Sequence, residues 1–193
     1  MAKADAKNRS PVRSAVFIGL KLLLICAIVA GVVAGVNTLT DAKYQENLNY
    51  QKSQAIKTIF GENASFEKMD PAPGTTGAVI YEVKEGDTLL GYCVEVVSTG
   101  FGGDINLSVG YNPDRSIKRV YIVPPLNETP GIGSKVQENE SYLPEQYEGQ
   151  SGSLTLGEDV DAIAGATITS TAVLEGVNLA TQALDAALGG ENS

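Results

Sequence analysis

The chain opens with a stretch in which apolar and small residues are almost unbroken. Ser14 to Val36 (SAVFIGLKLLLICAIVAGVVAGV) carries one charge, Lys21, and is otherwise apolar or small. About 20 consecutive apolar residues suffice to cross a bilayer as a helix. Residues 14–36 therefore predict a transmembrane helix, with Lys21 near the inner interface and its ammonium reaching back to water. A cleavable signal peptide has a shorter apolar core, of about 7–15 residues, and ends in an A-x-A-like site. The exit Val36-Asn37-Thr38-Leu39-Thr40 offers no such site. A lipoprotein signal would need small residues just before Cys26, where Leu24 and Ile25 stand instead. From Asn37 to Phe60 there is no Pro or Gly. Leu39, Ala42, Leu48, Ala55, Ile56 and Ile59 partly follow helical spacing there, which predicts that the helix continues outward as a stalk until Gly61-Glu62-Asn63 ends it.

The pattern then changes period. Lys68 to Gly74, broken by Pro71, Pro73 and Gly74, reads as a loop. Short β-like runs follow at Ala78–Val83 and Leu89–Val97, with a turn at Glu85-Gly86-Asp87 between them. Asp104–Tyr111 alternates with Ile105, Leu107 and Val109 on one face, Asn112-Pro113-Asp114 is turn chemistry, and Ile117–Val123 alternates again. Four such runs in succession predict an antiparallel meander. Pro124 to Gly152 is loop-rich, and Ile168 to Leu188 is an Ala-rich, Pro-free helix with Val173, Val177, Ala180 and Leu184 as its apolar stripe. The organisation expected is a tail over 1–13, a span over 14–36, a stalk and linker over 37–74, and an α+β domain over 75–193 with its antiparallel sheet flanked by helices.

Charge gives this organisation a direction. Up to Val36 the chain holds Lys3, Lys7, Arg9, Arg13 and Lys21 against Asp5, a net +4, so the remainder carries −13 of the overall −9. Basic residues ahead of a span remain in the cytoplasm. The expected placement is therefore single-pass in the cell (inner) membrane, with the N-terminus cytoplasmic and the domain extracytoplasmic. An acidic surface argues against a nucleic-acid partner. With no His and only Cys26 and Cys93, the chain lacks the usual ligands of a metal or iron–sulfur centre, and no metal site is expected. Any redox group must be organic and imported. Both Cys read as small buried hydrophobes, with no disulfide implied.

The sharpest chemical feature is Asp161-Ala162-Ile163-Ala164-Gly165-Ala166-Thr167-Ile168-Thr169-Ser170-Thr171, a turn running into a helix and rich in hydroxyls. Unpaired amides at a helix start suit a phosphate. An ordinary helix start after a loop has the same outline. This segment resembles the covalent flavin-attachment motif of the FMN-binding domain family, which includes the G subunit of the Rnf electron-transport complex and the C subunit of the sodium-translocating NADH:quinone oxidoreductase. In that family the Thr after Gly-Ala receives FMN through a phosphoester. The resemblance thus implies Thr167 as acceptor, with Asp161, Gly165, Ala166, Thr169 and Ser170 around it. Ala164 departs from the Ser or Thr usual at its place, which removes a hydroxyl but leaves the acceptor intact.

Two remote segments extend the likeness. Asn127-Glu128-Thr129-Pro130-Gly131-Ile132-Gly133 resembles the family's Glu-Thr-Pro-Gly-Leu-Gly segment, which lies against the flavin; Pro130-Gly131 is also plain turn chemistry. Gly100-Phe101-Gly102-Gly103 resembles the Gly-aromatic-x-Gly opening of a family strand, and reads equally as a glycine-rich hairpin loop. The resemblance covers about residues 75–185 and looks closer to the Rnf G subunit. It implies an electron-transfer subunit with covalent FMN on Thr167, matured by a flavin transferase. Its partners would be the other membrane subunits of an ion-translocating ferredoxin:NAD+ oxidoreductase. The implied cofactor contacts are Glu128, Thr129, Pro130, Gly131, Gly100 and Phe101; no catalytic acid, base or nucleophile is assigned. Two alternatives stay open: a membrane-anchored binding module without flavin, and a stand-alone flavoprotein reductase.

Overall fold

A computed structural model describes residues 11–70 and 77–189. The N-terminal ten residues of the expected tail and the Pro71–Gly74 part of the expected loop lie outside the described residues. The chain divides into two compact units, Met1–Asn49 and Tyr50–Ser193.

Helix α1 (Pro11–Phe60) runs through both units and ends where the Gly61 N–H closes back onto the Lys57 carbonyl at 2.8 Å. In the first unit its segment Ala15–Val36 is 22 residues long and fully exposed. At 1.5 Å per residue that is about 33 Å, long and apolar enough to cross a membrane core of about 30 Å.

The second unit is an α+β fold built on one antiparallel meander. Strands β1 (Ser65–Lys68), β2 (Ala78–Glu85), β3 (Thr88–Thr99), β4 (Asp104–Tyr111) and β5 (Ile117–Val123) pair in chain order. The register sets matching residues side by side: Ile80, Val94, Val109 and Val120 form one buried row across four strands, and Val96, Leu107 and Ile122 the next, with the half-buried Ala78 at its edge. Helix α4 (Thr167–Ala187) covers this face. Its stripe of Val173, Val177, Ala180 and Leu184 is buried against the rows, as the periodicity predicts. Two polar ties fix it: the Tyr111 hydroxyl meets Thr181 Oγ1 at 2.9 Å, and Asn178 exchanges two 2.8 Å hydrogen bonds with the backbone of Leu154.

The opposite face takes the last turns of α1. Ile56 and Ile59 pack with Tyr81, Val83 and Cys93, and Lys52 pairs with Glu95 at 3.2 Å. Gly110 makes room for them, since a Cβ there would run into the side chains of Ile59 and Phe60. The second unit therefore begins inside the helix that the sequence predicts as a stalk. Strand β1 has no counterpart among the predicted elements: its four residues are exposed and show no alternation, so only pairing with β2 reveals it. Within the loop-rich region stand two short helices, α2 (Lys135–Glu138) and α3 (Tyr142–Tyr147).

Candidate functional site

Three loops meet at one end of the sheet. The first is the β3–β4 hairpin, closed by the Gly100 N–H on the Gly103 carbonyl at 2.8 Å, with Phe101 at its tip. The second follows β5 and carries Asn127 to Gly133. There Pro130 and Gly131 form a turn closed by the Ile132 N–H on the Thr129 carbonyl at 3.1 Å. Gly131 has φ +71°, the left-handed value such a turn asks of its third residue. The third loop is Asp161 to Ala166, which delivers the chain to α4 through Gly165 at φ +83°.

Between them lies a cleft of about 460 Å³ lined by Phe101, Glu128, Thr129, Ile132, Gly133, Gly165, Ala166, Thr167, Ile168 and Thr169. Its volume falls in the range of small-molecule sites, roughly 300–1,000 Å³. The lining has three kinds of surface. Phe101, Ile132 and Ile168 are 68%, 49% and 58% exposed, an apolar rim that water alone does not explain. The start of α4 is the second. Its N-cap is Ala166, which makes no side-chain capping hydrogen bond, so the first-turn amides keep their donors for another acceptor. Thr167, the first residue of this 21-residue helix, is exposed at that positive end. The third surface is a single buried carboxylate, Glu128. It accepts the Gly102 N–H at 3.1 Å on Oε1 and the Thr169 hydroxyl at 2.9 Å on Oε2. None of the ten lining residues is Lys or Arg. Among the described residues no three His, Cys, Asp or Glu side chains converge as a metal site requires.

The structure thus brings Thr167, Ala166, Gly165, Thr169, Glu128, Thr129 and Phe101 together in the cleft wall. Pro130 and Gly131 form the turn beside it. Gly100 sits behind the wall, where a Cβ would meet the Glu128 carboxylate and Ile105. Ser170 faces inward and accepts the Ile163 N–H at 3.1 Å, which steadies the approach to α4. Asp161 is exposed and outside the lining, held by its backbone: its N–H donates to Gln146 at 2.7 Å and its carbonyl accepts the Tyr142 hydroxyl at 2.9 Å. Ile132 and Ile168 are lining residues whose side chains sequence reading does not assign. Ile168 carries a signal, since it is an apolar residue lying off the α4 stripe.

A sheet backed by a helix whose uncapped start opens onto an apolar-rimmed cleft suits a small ligand that has both an apolar part and an anionic group. Residues 100–182 match the model of the family described as FMN-binding domain. The chain is 30% identical over 172 residues to the G subunit of the ion-translocating oxidoreductase complex of Methanosarcina acetivorans, covering 82% of this chain and 88% of that protein. It is 26% identical over 186 residues to the G subunit of the proton-translocating ferredoxin:NAD(+) oxidoreductase complex of Clostridium ljungdahlii, covering 93% and 97%. Over 189 residues it is 28% identical to the G subunit of the Na(+)-translocating ferredoxin:NAD(+) oxidoreductase complex of Acetobacterium woodii, covering 86% and 89%. Among solved structures it is similar to Shewanella oneidensis NqrC, with a TM-score of 0.49 at 25% identity over 66% of this chain and 68% of that one. The chain belongs to the FMN-binding domain family, beside the G subunits of ion-translocating oxidoreductase complexes.

Proposed function

We propose that this chain is the flavin-carrying G subunit of a membrane-bound, ion-translocating ferredoxin:NAD+ oxidoreductase complex of the Rnf type, with FMN held in phosphoester linkage to Thr167. The observation that carries the reading is the position of Thr167: a hydroxyl at the first residue of an uncapped helix, exposed on the wall of an apolar-rimmed cleft. The residues present fit the group. The first-turn amides of α4 would hold the phosphate. Phe101, Ile132 and Ile168 would lie along the ring, and the backbone of the 129–133 turn would supply polar contacts. Bound there, FMN supplies reversible electron storage, which no side chain of this chain offers.

Charge explains why a covalent bond is useful. With no cation in the lining and the Glu128 carboxylate within it, an anionic phosphate is retained by helix amides and by the bond itself. In forming that bond the Thr167 oxygen becomes a bridging phosphate oxygen, and its proton leaves with the group displaced from the flavin-nucleotide donor. A partner flavin transferase carries out the exchange. The basic residues ahead of the apolar helix favour a cytoplasmic N-terminus and an extracytoplasmic domain, where a loosely held cofactor would be lost by dilution. The other membrane subunits of the complex are the electron partners.

The test is an intact mass of the chain made with a flavin transferase, read beside flavin fluorescence in a denaturing gel. Wild type gains the mass of one FMN less one water and fluoresces; Thr167→Val does neither while keeping its fold. A wild-type chain that weighs only its amino acids would leave the flavin-free binding module standing. Turnover of soluble donor–acceptor pairs by the flavin-loaded chain alone would favour the stand-alone reductase.

A further inference from the structure

Three glycines in the site segments share one neighbour. A Cβ on Gly100 would meet Glu128 Oε1, one on Gly102 would meet the Asn127 carbonyl and Glu128 Cα, and one on Gly133 would meet Glu128 Oε2 and Thr169 Oγ1. Gly100 and Gly133 press most closely on the Glu128 carboxylate, and Gly102 on the Asn127 carbonyl of the peptide that leads into it. Glu128 in turn is only 7% exposed and engages both its oxygens: Oε1 with the Gly102 N–H and Oε2 with the Thr169 hydroxyl. A buried carboxylate is tolerated where it accepts hydrogen bonds, and such charge-assisted bonds are the stronger kind. Here they join three segments far apart in the chain: the β3–β4 hairpin, the loop after β5 and the first turn of α4.

We infer that Glu128 is the positioning residue of the cleft, a buried clamp that holds the hairpin and the α4 start in register and thereby sets where the Thr167 hydroxyl stands. Thr169 is the link. It lies two residues beyond Thr167, about 200° around the helix, so anchoring it inward turns Thr167 outward to the cleft. The glycines are spacers that let the carboxylate reach its donors. This assigns Glu128 a role through other residues, distinct from contact with the flavin. The consequence for Thr167 rests on the flavin reading above, whereas the clamp itself does not.

The experiment therefore has two arms, both on the full-length chain in detergent. In the flavin-free chain, amide hydrogen exchange is followed by mass spectrometry across residues 100–103 and across residues 170–174 of α4, where the Ser170 N–H on the Ala166 carbonyl is the first hydrogen-bonded amide of the helix. Glu128→Ala and Thr169→Val should each speed exchange there by about tenfold or more, the scale of a lost hydrogen bond to a charged group. Residues 92–97 of the central strand should be unchanged. Glu128→Gln and Thr169→Ser should restore most of the protection. In the second arm, flavin incorporation at a fixed early time should fall about tenfold in the first two variants and recover in the conservative pair.

Thr169→Val keeps the Gly102 bond, so it serves where Glu128→Ala does not fold. Exchange unchanged in Thr169→Val overturns the clamp. Faster exchange with wild-type incorporation overturns its control of Thr167. If the wild-type chain takes up no flavin, the functional reading fails, and the exchange arm alone then supports or overturns the clamp.

Discussion

Thr167 and Thr169 stand two residues apart and meet opposite environments. One is exposed on the cleft wall, and the other is 2% exposed with its hydroxyl on Glu128. Spacing along a helix is enough to separate them, so a run of similar residues does not mean a run of similar roles. Glycines divide in the same way. Gly131 is required by the backbone angle of its turn and has open space where a side chain would begin. Gly102 is required by contact, because the neighbour it would strike is the Asn127 carbonyl, a backbone atom that cannot swing aside. Gly102→Ala should therefore cost about 1–3 kcal/mol, the usual range for overpacking. For a chain of this size that lowers the melting temperature by roughly 2–4 °C per kcal/mol. A thermal melt followed by circular dichroism measures it, and a curve superimposable on wild type would show that the hairpin does not rest on residue 127.

Among the elements, the end of α1 belongs as much to the sheet as to the long helix that contains it. Ala55 and Ile56 are fully buried and Ile59 nearly so, and behind them Cys93 is wholly covered. A helix that were only a spacer would have no reason to bury one face. A fragment starting at Tyr50 should accordingly fold with Cys93 inert to a thiol reagent at neutral pH. One starting at Ser65 loses the cover of Ile56, Ile59 and Phe60 and should expose the thiol, which then reacts within the time of mixing. Equal reactivity in both fragments would show that α1 does not shield this face. Strand β1 makes the complementary point: SFEK has nothing to bury, yet Phe66 meets Tyr81 edge-on at 5.6 Å once the strand is paired.

For the whole second unit, pH acts through groups hidden in the core. Burial pushes the Cys93 thiol and the Tyr111 and Tyr147 phenols well above their ordinary values. Each keeps its proton to higher pH when folded than when unfolded. The unfolded chain therefore binds fewer protons in the alkaline range, and stability falls as pH rises through it. The contribution is complete below the unfolded values, about 8.5 for the thiol and 10 for the phenols, and diminishes above them. Melting temperature of the domain should hold level up to about pH 8.5 and then decline, with the onset moved toward pH 10 in Cys93→Ala. A decline starting no later in that variant than in wild type would assign the onset to other groups.

Period and composition along the chain are enough for the apolar helix, four of the five described strands and the helix that covers the sheet, because each of these is written in neighbouring residues; the stretch holding Thr167 stands out through its resemblance to a family motif, since an ordinary helix start has the same outline. A 3.6 or a 2.0 repeat states which face an element buries before anything is packed against it. What the chain could not state alone is which exposed or polar residues meet. Glu128 and Thr169 are 41 positions apart, and neither carries a local mark of being buried. Ser170 and Asp161 belong to the same motif as Thr167, yet the phase of the helix start turns Ser170 inward, while backbone bonds to Gln146 and Tyr142 hold Asp161 outside the cleft. The sheet edge at residues 65–68 exists only because β2 is there to pair with it. Local sequence selects elements through their own burial pattern; tertiary structure decides the clefts and clamps, because a charged side chain can be buried only after remote donors have been brought to it.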